Sequence, residues 1–335
     1  MGKKPRIVII ATGGSVAMPG DDPLDLVEYG DHGRRPEDVE ATISRFEKFV
    51  PEVELVPMAF RSLGSIAIVP ADWLELGKFI TQLFTEEPGL AGAVVTHGTA
   101  TIEETAYFLH LSVRTPQPVV LVGSQRPPNG LSSDASANFR AACLVAADPM
   151  CHELGTVVVM NDAIVAARDV RKSANYRLQA FQGSEFGVLG TVEPDGSVHL
   201  ERKPTRLGGV RSEFDMKLIT ELPRVDIALS YAGVDATVIN AFIAIGTKGI
   251  VSAGFGPGRP TPVERKALAQ AVRDGVVVVQ SSRTLGGSIM PRAEDREVGF
   301  ISADDLAPQK ARILLMLTLA TGVELGRIRT VFSSY

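Results

Sequence analysis

Two short segments carry side chains whose types and spacing suit chemistry at an acyl carbon. The first is Ala11-Thr12-Gly13-Gly14-Ser15-Val16-Ala17. Its two glycines let the backbone turn sharply and approach a ligand, and they set the hydroxyls of Thr12 and Ser15 beside backbone N–H groups suited to holding an oxyanion. It lacks the Gly-Lys-Ser/Thr ending of a phosphate loop. The second is Val95-Thr96-His97-Gly98-Thr99-Ala100-Thr101-Ile102-Glu103-Glu104-Thr105-Ala106-Tyr107. There Thr99 or Thr101 caps a helix, and Glu103 and Glu104 in its first turn favour the positive end of the helix dipole. Both segments also have plain structural readings. Gly-Gly-Ser makes an ordinary strand-to-loop turn, and capping alone accounts for the threonines and glutamates. His97, beside a tight glycine turn, is read as a hydrogen-bonded spacer rather than a general base.

The elements that must position these loops follow from the apolar pattern. Runs apolar at nearly every position occur at Ile7–Ala11, Val53–Met58, Gly92–Thr96, Pro118–Val122 and Thr156–Asn161, with helical patterns at Ala71–Phe84, Ile102–Val113 and Asn138–Ala147. Strands of that kind are buried on both faces, as in a parallel sheet covered by helices, so the first half is expected to be a doubly wound α/β domain. Around Gly183–Pro204 the pattern changes to short strands about a Pro194-Asp195-Gly196 turn, which predicts a hairpin. From Val225 the alternation resumes: strands at Val225–Ser230, Gly249–Ala253 and Val276–Ser281, and helices from Ala236, from Pro262 and over Pro308–Leu319. The expected fold is α/β, with a larger N-terminal doubly wound, mostly parallel sheet over residues 1–202. A linker at 203–217 and a smaller C-terminal α/β domain at 218–335 complete it. Ligands in open parallel sheets bind at the loops leaving the carboxyl ends of strands, which is where both segments lie.

Composition narrows the function classes. A chain of 335 residues, 45% hydrophobic, has material for two cores. A net charge of -5 with both signs interspersed offers no basic stripe for nucleic acid. No stretch approaches the roughly 20 apolar residues of a membrane span. The basic start, Met1-Gly2-Lys3-Lys4-Pro5-Arg6, precedes an apolar run too short for a signal-peptide core, and Arg6 stands where a myristoylation motif wants Ser or Thr. With only Cys143 and Cys151 there is no disulfide framework and no metal site, and the expected compartment is the reducing cytoplasm. No cofactor is expected.

Together the two loops resemble the paired signatures of the bacterial L-asparaginase family, which run close to ATGGTIA and THGTDTMEETAYFL. Val119-Val120-Leu121-Val122-Gly123-Ser124-Gln125-Arg126-Pro127, Met160-Asn161-Asp162 and Ala167-Arg168-Asp169-Val170-Arg171-Lys172 are similar to that family too. So are Gly249-Ile250-Val251-Ser252-Ala253-Gly254 and Pro308-Gln309-Lys310-Ala311-Arg312. The resemblance covers nearly the whole chain, in order. It implies an amidohydrolase in which Ser15, where the family usually has Thr, attacks a side-chain amide, releases ammonia and leaves an acyl-enzyme for water. Ser keeps the hydroxyl but loses the methyl that limits its rotamers. By the same resemblance Tyr29 activates the nucleophile, and Thr99 and Lys172 are the second catalytic hydroxyl and its lysine partner. Gly14, Gly64, Ser65, Gly98 and Ala100 line the substrate site, and the assembly is a homodimer or homotetramer. Each side chain also has a bland reading: Tyr29 as a half-buried aromatic, Lys172 as a solvated lysine after a strand.

Three further positions depart from the family. Ala100 stands where the family has an Asp that pairs with the lysine and receives the α-ammonium of the substrate. Ser65-Ile66 replaces a Ser-Gln pair, with Trp73 anchoring the register, and Pro257 replaces an Asn. The family glutamate from a neighbouring subunit falls near Glu294, with a different spacing to Gly299. A buried ammonium left without its carboxylate costs about 3–5 kcal/mol, several hundred-fold or more in affinity. Hydrolysis of a related amide, imide or lactone that lacks a free α-amino group is therefore an alternative to L-asparagine. Loss of the same Asp leaves Lys172 with a lowered pKa, able to serve as base for Thr99. Two other readings stand beside the hydrolase: a ligand-binding pseudoenzyme, favoured by Ala100 and opposed by the retained hydroxyls and amine, and a nucleotide-binding protein. The latter rests on Gly254-x-Gly256-x-Gly258, which lacks the dinucleotide spacing.

Overall fold

The computed structural model describes residues 3–30, 36–62 and 64–335. Met1 and Gly2 of the basic start and residues 31–35, within the loosely matched segment after the first loop, lie outside the described residues. The chain divides into two units, residues 1–212 and 213–335, and the division falls inside the segment 203–217 expected as a linker.

In the first unit the apolar runs become strands and the periodic segments become helices. The run at Val53–Met58, expected to be buried on both faces, instead becomes the edge strand Glu54–Ala59, whose residues are exposed or half-buried because one edge of it has no neighbour among the described strands. In chain order these are β1 (Arg6–Ala11), α1 (Val39–Phe46), β2 (Glu54–Ala59), α2 (Pro70–Glu86), β3 (Gly92–Thr96), α3 (Ile102–Ser112), β4 (Val119–Val122), α4 (Ala135–Ala147) and β5 (Thr156–Met160). The short strands β6 (Ala163–Ala166), β7 (Arg171–Lys172), β8 (Phe181–Gln182), β9 (Gly190–Val192) and β10 (Val198–Leu200) follow. The main sheet runs β10-β9-β6-β5-β4-β3-β1-β2. Pairing is parallel from β2 through β5 and antiparallel from β5 outward to β10. The change of direction at β5–β6 uses a two-residue turn in which Asn161 and Asp162 hold φ of 51° and 62°, left-handed values that Asn and Asp tolerate best among residues with a Cβ. The hairpin expected about Pro194-Asp195-Gly196 is β9–β10, with Val192 opposite Val198.

One face of the sheet, carrying Ile7, Ile9, Val94 and Val120, packs with residues of α1 and α4, where the Phe46 and Phe139 rings stack at 4.9 Å. α3 lies against β4 and β5. Helix α1 has no counterpart among the expected helices. It is only eight residues long, is capped by Asp38, which accepts the Ala41 N–H at 2.8 Å, and buries Val39, Thr42 and Phe46. α4 starts three residues earlier than the apolar pattern suggested, at Ala135.

The second unit has its own sheet of β11 (Val225–Leu229), β12 (Gly249–Gly254), β13 (Val277–Ser282) and β14 (Ile301–Ser302), all parallel. Its helices are α5 (Thr237–Ala244), α6 (Pro262–Arg273), α7 (Ala293–Val298), α8 (Pro308–Ala320) and α9 (Leu325–Ser334). Helix α6 is started by a capping box between Thr261 and Glu264. Among the described residues no helix is long and apolar enough to cross a membrane.

Candidate active site

The sheet order β2-β1-β3-β4-β5 reverses direction of winding between β1 and β3, and ligands of open parallel sheets gather at the carboxyl ends of the strands flanking such a reversal. The loops leaving β1 and β3 hold Gly14-Ser15 and Gly98-Thr99, and they touch. The Thr12 hydroxyl donates to the Thr96 carbonyl at 2.7 Å. A Cβ on Gly14 would lie 2.5 Å from the Gly98 nitrogen, and one on Gly98 would lie 2.6 Å from Ser65 Cβ and Oγ. The two glycines therefore allow three backbone segments to meet, and Ser15 and Thr99 each stand one residue beyond the point of contact.

Each hydroxyl has a distinct set of partners. Ser15, half-buried at the start of a 3-10 turn spanning Ser15–Ala17, donates from Oγ to the Ser124 carbonyl and is hydrogen-bonded to the Tyr29 side chain. Thr99 Oγ1 accepts from Lys172 Nζ at 2.7 Å. Lys172 lies on β7, and its backbone N–H donates to Glu103 Oε2 at 2.7 Å. Tyr29 is held by a loop pinned to the segment after β4: Asn129 accepts the Gly20 N–H at 2.8 Å and donates to the Gly20 carbonyl at 2.6 Å.

The charge states follow from these surroundings. Burial pushes the Tyr29 hydroxyl above the usual tyrosine range, with Asp134 and Asp25 adding to the rise and the bond with Ser15 opposing it. Tyr29 is thus a neutral phenol at pH 7, fit to hold and relay a proton but not to act as a standing phenolate. Burial lowers Lys172, and the Glu103 carboxylate opposes that. The direction agrees with the lysine expected from the absence of a carboxylate at Ala100. His97, fully buried, keeps Nδ1 at 2.8 Å from the Gly98 carbonyl and is driven down to about 4 by burial. It is neutral and props the Gly98 turn, as a spacer does.

The remaining candidates lie around this pair of loops. Ser65 opens a 3-10 turn over Ser65–Ala67, and its carbonyl accepts from Thr101 Oγ1 at 2.7 Å. Trp73, which sets that register, donates to Thr105 Oγ1 at 2.9 Å. Gly64 and Ala100 are exposed, and Ile66 is 88% exposed. Pro257 and Glu294 belong to the second unit, where Glu294 pairs with Arg292 at 2.6 Å. Contacts not expected from the sequence also appear: the Ser124 carbonyl accepts from Ser15, and Glu103, expected only to face the helix dipole, accepts the Lys172 N–H. Asp134, 7% exposed, accepts the Gln125 and Arg126 N–H groups and so shapes the loop that receives Ser15. Ser124 sits just past β4, so the carboxyl-end rule pointed to it; the Glu103 contact with Lys172 crosses the fold and leaves no local signal, whereas Asp134 acts within its own loop. A cavity of about 260 Å³ bordered by Arg168, Arg202 and Arg206 contains none of these groups.

Similarity over the whole length agrees with this arrangement. Residues 6–206 match the family model described as Asparaginase, N-terminal, and residues 224–332 match the Glutaminase/Asparaginase C-terminal domain. The chain belongs to the asparaginase family. L-asparaginase 2 of Bacillus subtilis (strain 168) is 36% identical to it over 333 residues, 99% of this chain and 87% of that protein. Glutaminase-asparaginase of Pseudomonas fluorescens biotype A is 34% identical, over 99% and 91%. The crystal structure of a probable cytoplasmic L-asparaginase from Campylobacter jejuni superposes with a TM-score of 0.92 at 35% identity, covering 99% of this chain and 100% of that one. In this asparaginase-family chain the sheet reversal, the touching glycine loops and the two partnered hydroxyls all fall within residues 6–206.

Proposed function

We propose that this amidohydrolase of the asparaginase family cleaves the side-chain amide of L-asparagine or a related acid amide through Ser15. The observation that carries the assignment of roles is the pairing of two hydroxyls with two proton-handling groups in touching loops. Ser15 is bonded to Tyr29, and Thr99 to Lys172 at 2.7 Å. Ser15 Oγ attacks the amide carbon, and backbone N–H groups at the start of the 3-10 turn that it opens are the donors nearest the developing oxyanion along the chain. Tyr29, neutral, passes the Ser15 proton on and keeps the hydroxyl aimed. The nitrogen leaves as ammonia once protonated, and water cleaves the acyl-enzyme. Lys172, made less basic by burial, takes the proton from Thr99 or from water held by it. No cofactor enters.

Gly14 and Gly98 bring the loops close, Ser65 offers a hydroxyl to a substrate carboxylate, and Gly64 and Ala100 border the entrance. Ala100 presents no carboxylate to an α-ammonium, so a related amide without that group remains within the proposed substrate class. We place the protein in the cytoplasm as a homodimer or homotetramer. The free, buried Cys143 and Cys151 suit a reducing compartment. The similar Campylobacter structure is described as cytoplasmic, whereas a relative from Haemophilus influenzae is described as periplasmic.

The test is ammonia release from L-asparagine and from amides lacking the α-amino group, by the wild type and Ser15→Ala. Turnover with either substrate that falls by about a thousandfold or more in the variant supports the assignment. Turnover retained by Ser15→Ala removes Ser15 as nucleophile.

A further inference from the structure

Glu103 stands at the second residue of α3, where a carboxylate has a routine role opposite the helix dipole. Its geometry goes further. Oε2 accepts the backbone N–H of Lys172 at 2.7 Å across 69 residues of chain. Lys172 is thereby held at two points, its main chain by Glu103 and its Nζ by Thr99 Oγ1 at 2.7 Å. Both holders come from one short stretch, Thr99 just before α3 and Glu103 in its first turn. The strand that carries the lysine is only two residues long and pairs solely with the equally short β8 among the described residues. The Ser173 N–H and hydroxyl extend the pairing by one residue, both donating to the Ala180 carbonyl; the ladder is still short, and Glu103 adds a hold on Lys172 from another element.

We propose that Glu103 is the positioning residue of the Thr99–Lys172 pair, its carboxylate clamping the lysine main chain so that the amine meets the hydroxyl. This rests on the reading of Thr99 and Lys172 as a catalytic pair. The clamp also sets the charge around the amine. From α3 the carboxylate of Glu103 acts on it. From β8 it meets the face of Phe181, 6.0 Å away, with uncharged Gln182 beside it. Arg171 is its cationic neighbour on β7. Glu103→Gln keeps an oxygen acceptor and removes the charge, whereas Glu103→Ala removes both, so the two variants separate position from charge.

The experiment compares kcat, KM and pH–rate profiles for the wild type, Glu103→Gln and Glu103→Ala, with melting temperatures to verify folding. Beside them, the pH dependence of Lys172 acetylation by acetic anhydride is followed by peptide mass mapping, which needs no turnover. Glu103→Gln is expected to keep kcat within about twofold at its own optimum. Its rate limb and its Lys172 acetylation both move to lower pH, because the carboxylate that favoured the ammonium is gone. Glu103→Ala is expected to lower kcat about tenfold or more while KM stays within about twofold. Wild-type kcat and pH profiles in Glu103→Ala overturn the proposal. So does a loss that merely tracks melting temperature in both variants with neither pH limb moved. Lys172→Met and Thr99→Val serve as references: if they turn over like wild type, the catalytic pair itself is wrong, whatever Glu103 does to acetylation.

Discussion

At the scale of single residues, the site sorts its groups by surroundings rather than by type. Ser15 and Thr99 are both hydroxyls, but one is bonded to a phenol pushed up by burial and the other to an amine pushed down by it. In the proposed mechanism that contrast suits Tyr29 to holding a proton and Lys172 to accepting one. Ala100 gives the sharpest prediction at this scale. Ala100→Asp places a carboxylate beside Thr99 at an exposed position, where the family resemblance has it meet both a substrate ammonium and the lysine. KM for L-asparagine is expected to fall about tenfold or more, with KM for an amide lacking the α-amino group unchanged. The basic limb of the pH–rate profile is expected to move to higher pH as the lysine regains charge. Steady-state kinetics on the two substrates reads both effects, and equal changes in KM would separate Ala100 from ammonium recognition. Of these residues Ser15, Thr99 and Lys172 could be singled out in the sequence as candidates, because each sits in a motif. Ser124 and Glu103 were not assigned, because their contacts to Ser15 and Lys172 span 109 and 69 residues and leave no local pattern.

At the scale of elements, the chemistry depends on how closely two turns approach. Gly14 holds φ of 91°, and a Cβ there would meet the Gly98 nitrogen and the His97 carbonyl carbon at 2.5 Å, both of them backbone atoms that cannot swing away. Gly14→Ala is therefore expected to cost about 1–3 kcal/mol from the backbone conformation alone. It is also expected to reduce kcat/KM at least about tenfold by spreading the loops, although every side chain of the proposed mechanism remains. Gly64→Ala is the contrast: its Cβ would meet nothing within 4 Å, so its melting temperature is expected to match wild type. Melting curves and kinetics of the two variants test the difference, and a Gly14→Ala protein as stable and active as wild type would show that the approach is not required. The strands behind these loops were legible because a strand buried on both faces is apolar at every position. α1 escaped because eight amphipathic residues make barely two turns, too few for a periodic pattern to stand out. β7 and β8 escaped because two-residue strands are defined by their partners and not by their own sequence.

At the scale of the molecule, the sheet order makes one buried residue matter to the stability of the whole fold. β3 lies between β1 and β4, and His97, the residue just after it, is fully buried, with no hydrogen-bond partner for its Nε2 among the described residues. Its pKa in the folded protein is about 4, against an ordinary value of 6.5. The folded state resists a proton that the unfolded chain accepts freely. The stability linked to this group is therefore complete above pH 6.5 and is lost as pH falls toward 4. At about 1.4 kcal/mol for each pH unit, the loss reaches about 3 kcal/mol across that window. Chemical denaturation at pH 7 and pH 5 is expected to show wild type losing about 2 kcal/mol through this residue, a loss that His97→Gln lacks. The glutamine amide still donates to the Gly98 carbonyl, so any constant cost of the substitution appears at both pH values and cancels in the comparison. Identical pH slopes for the two proteins would mean that His97 takes up its proton in the folded state, and that the floor beneath Gly98 and Thr99 is open to water.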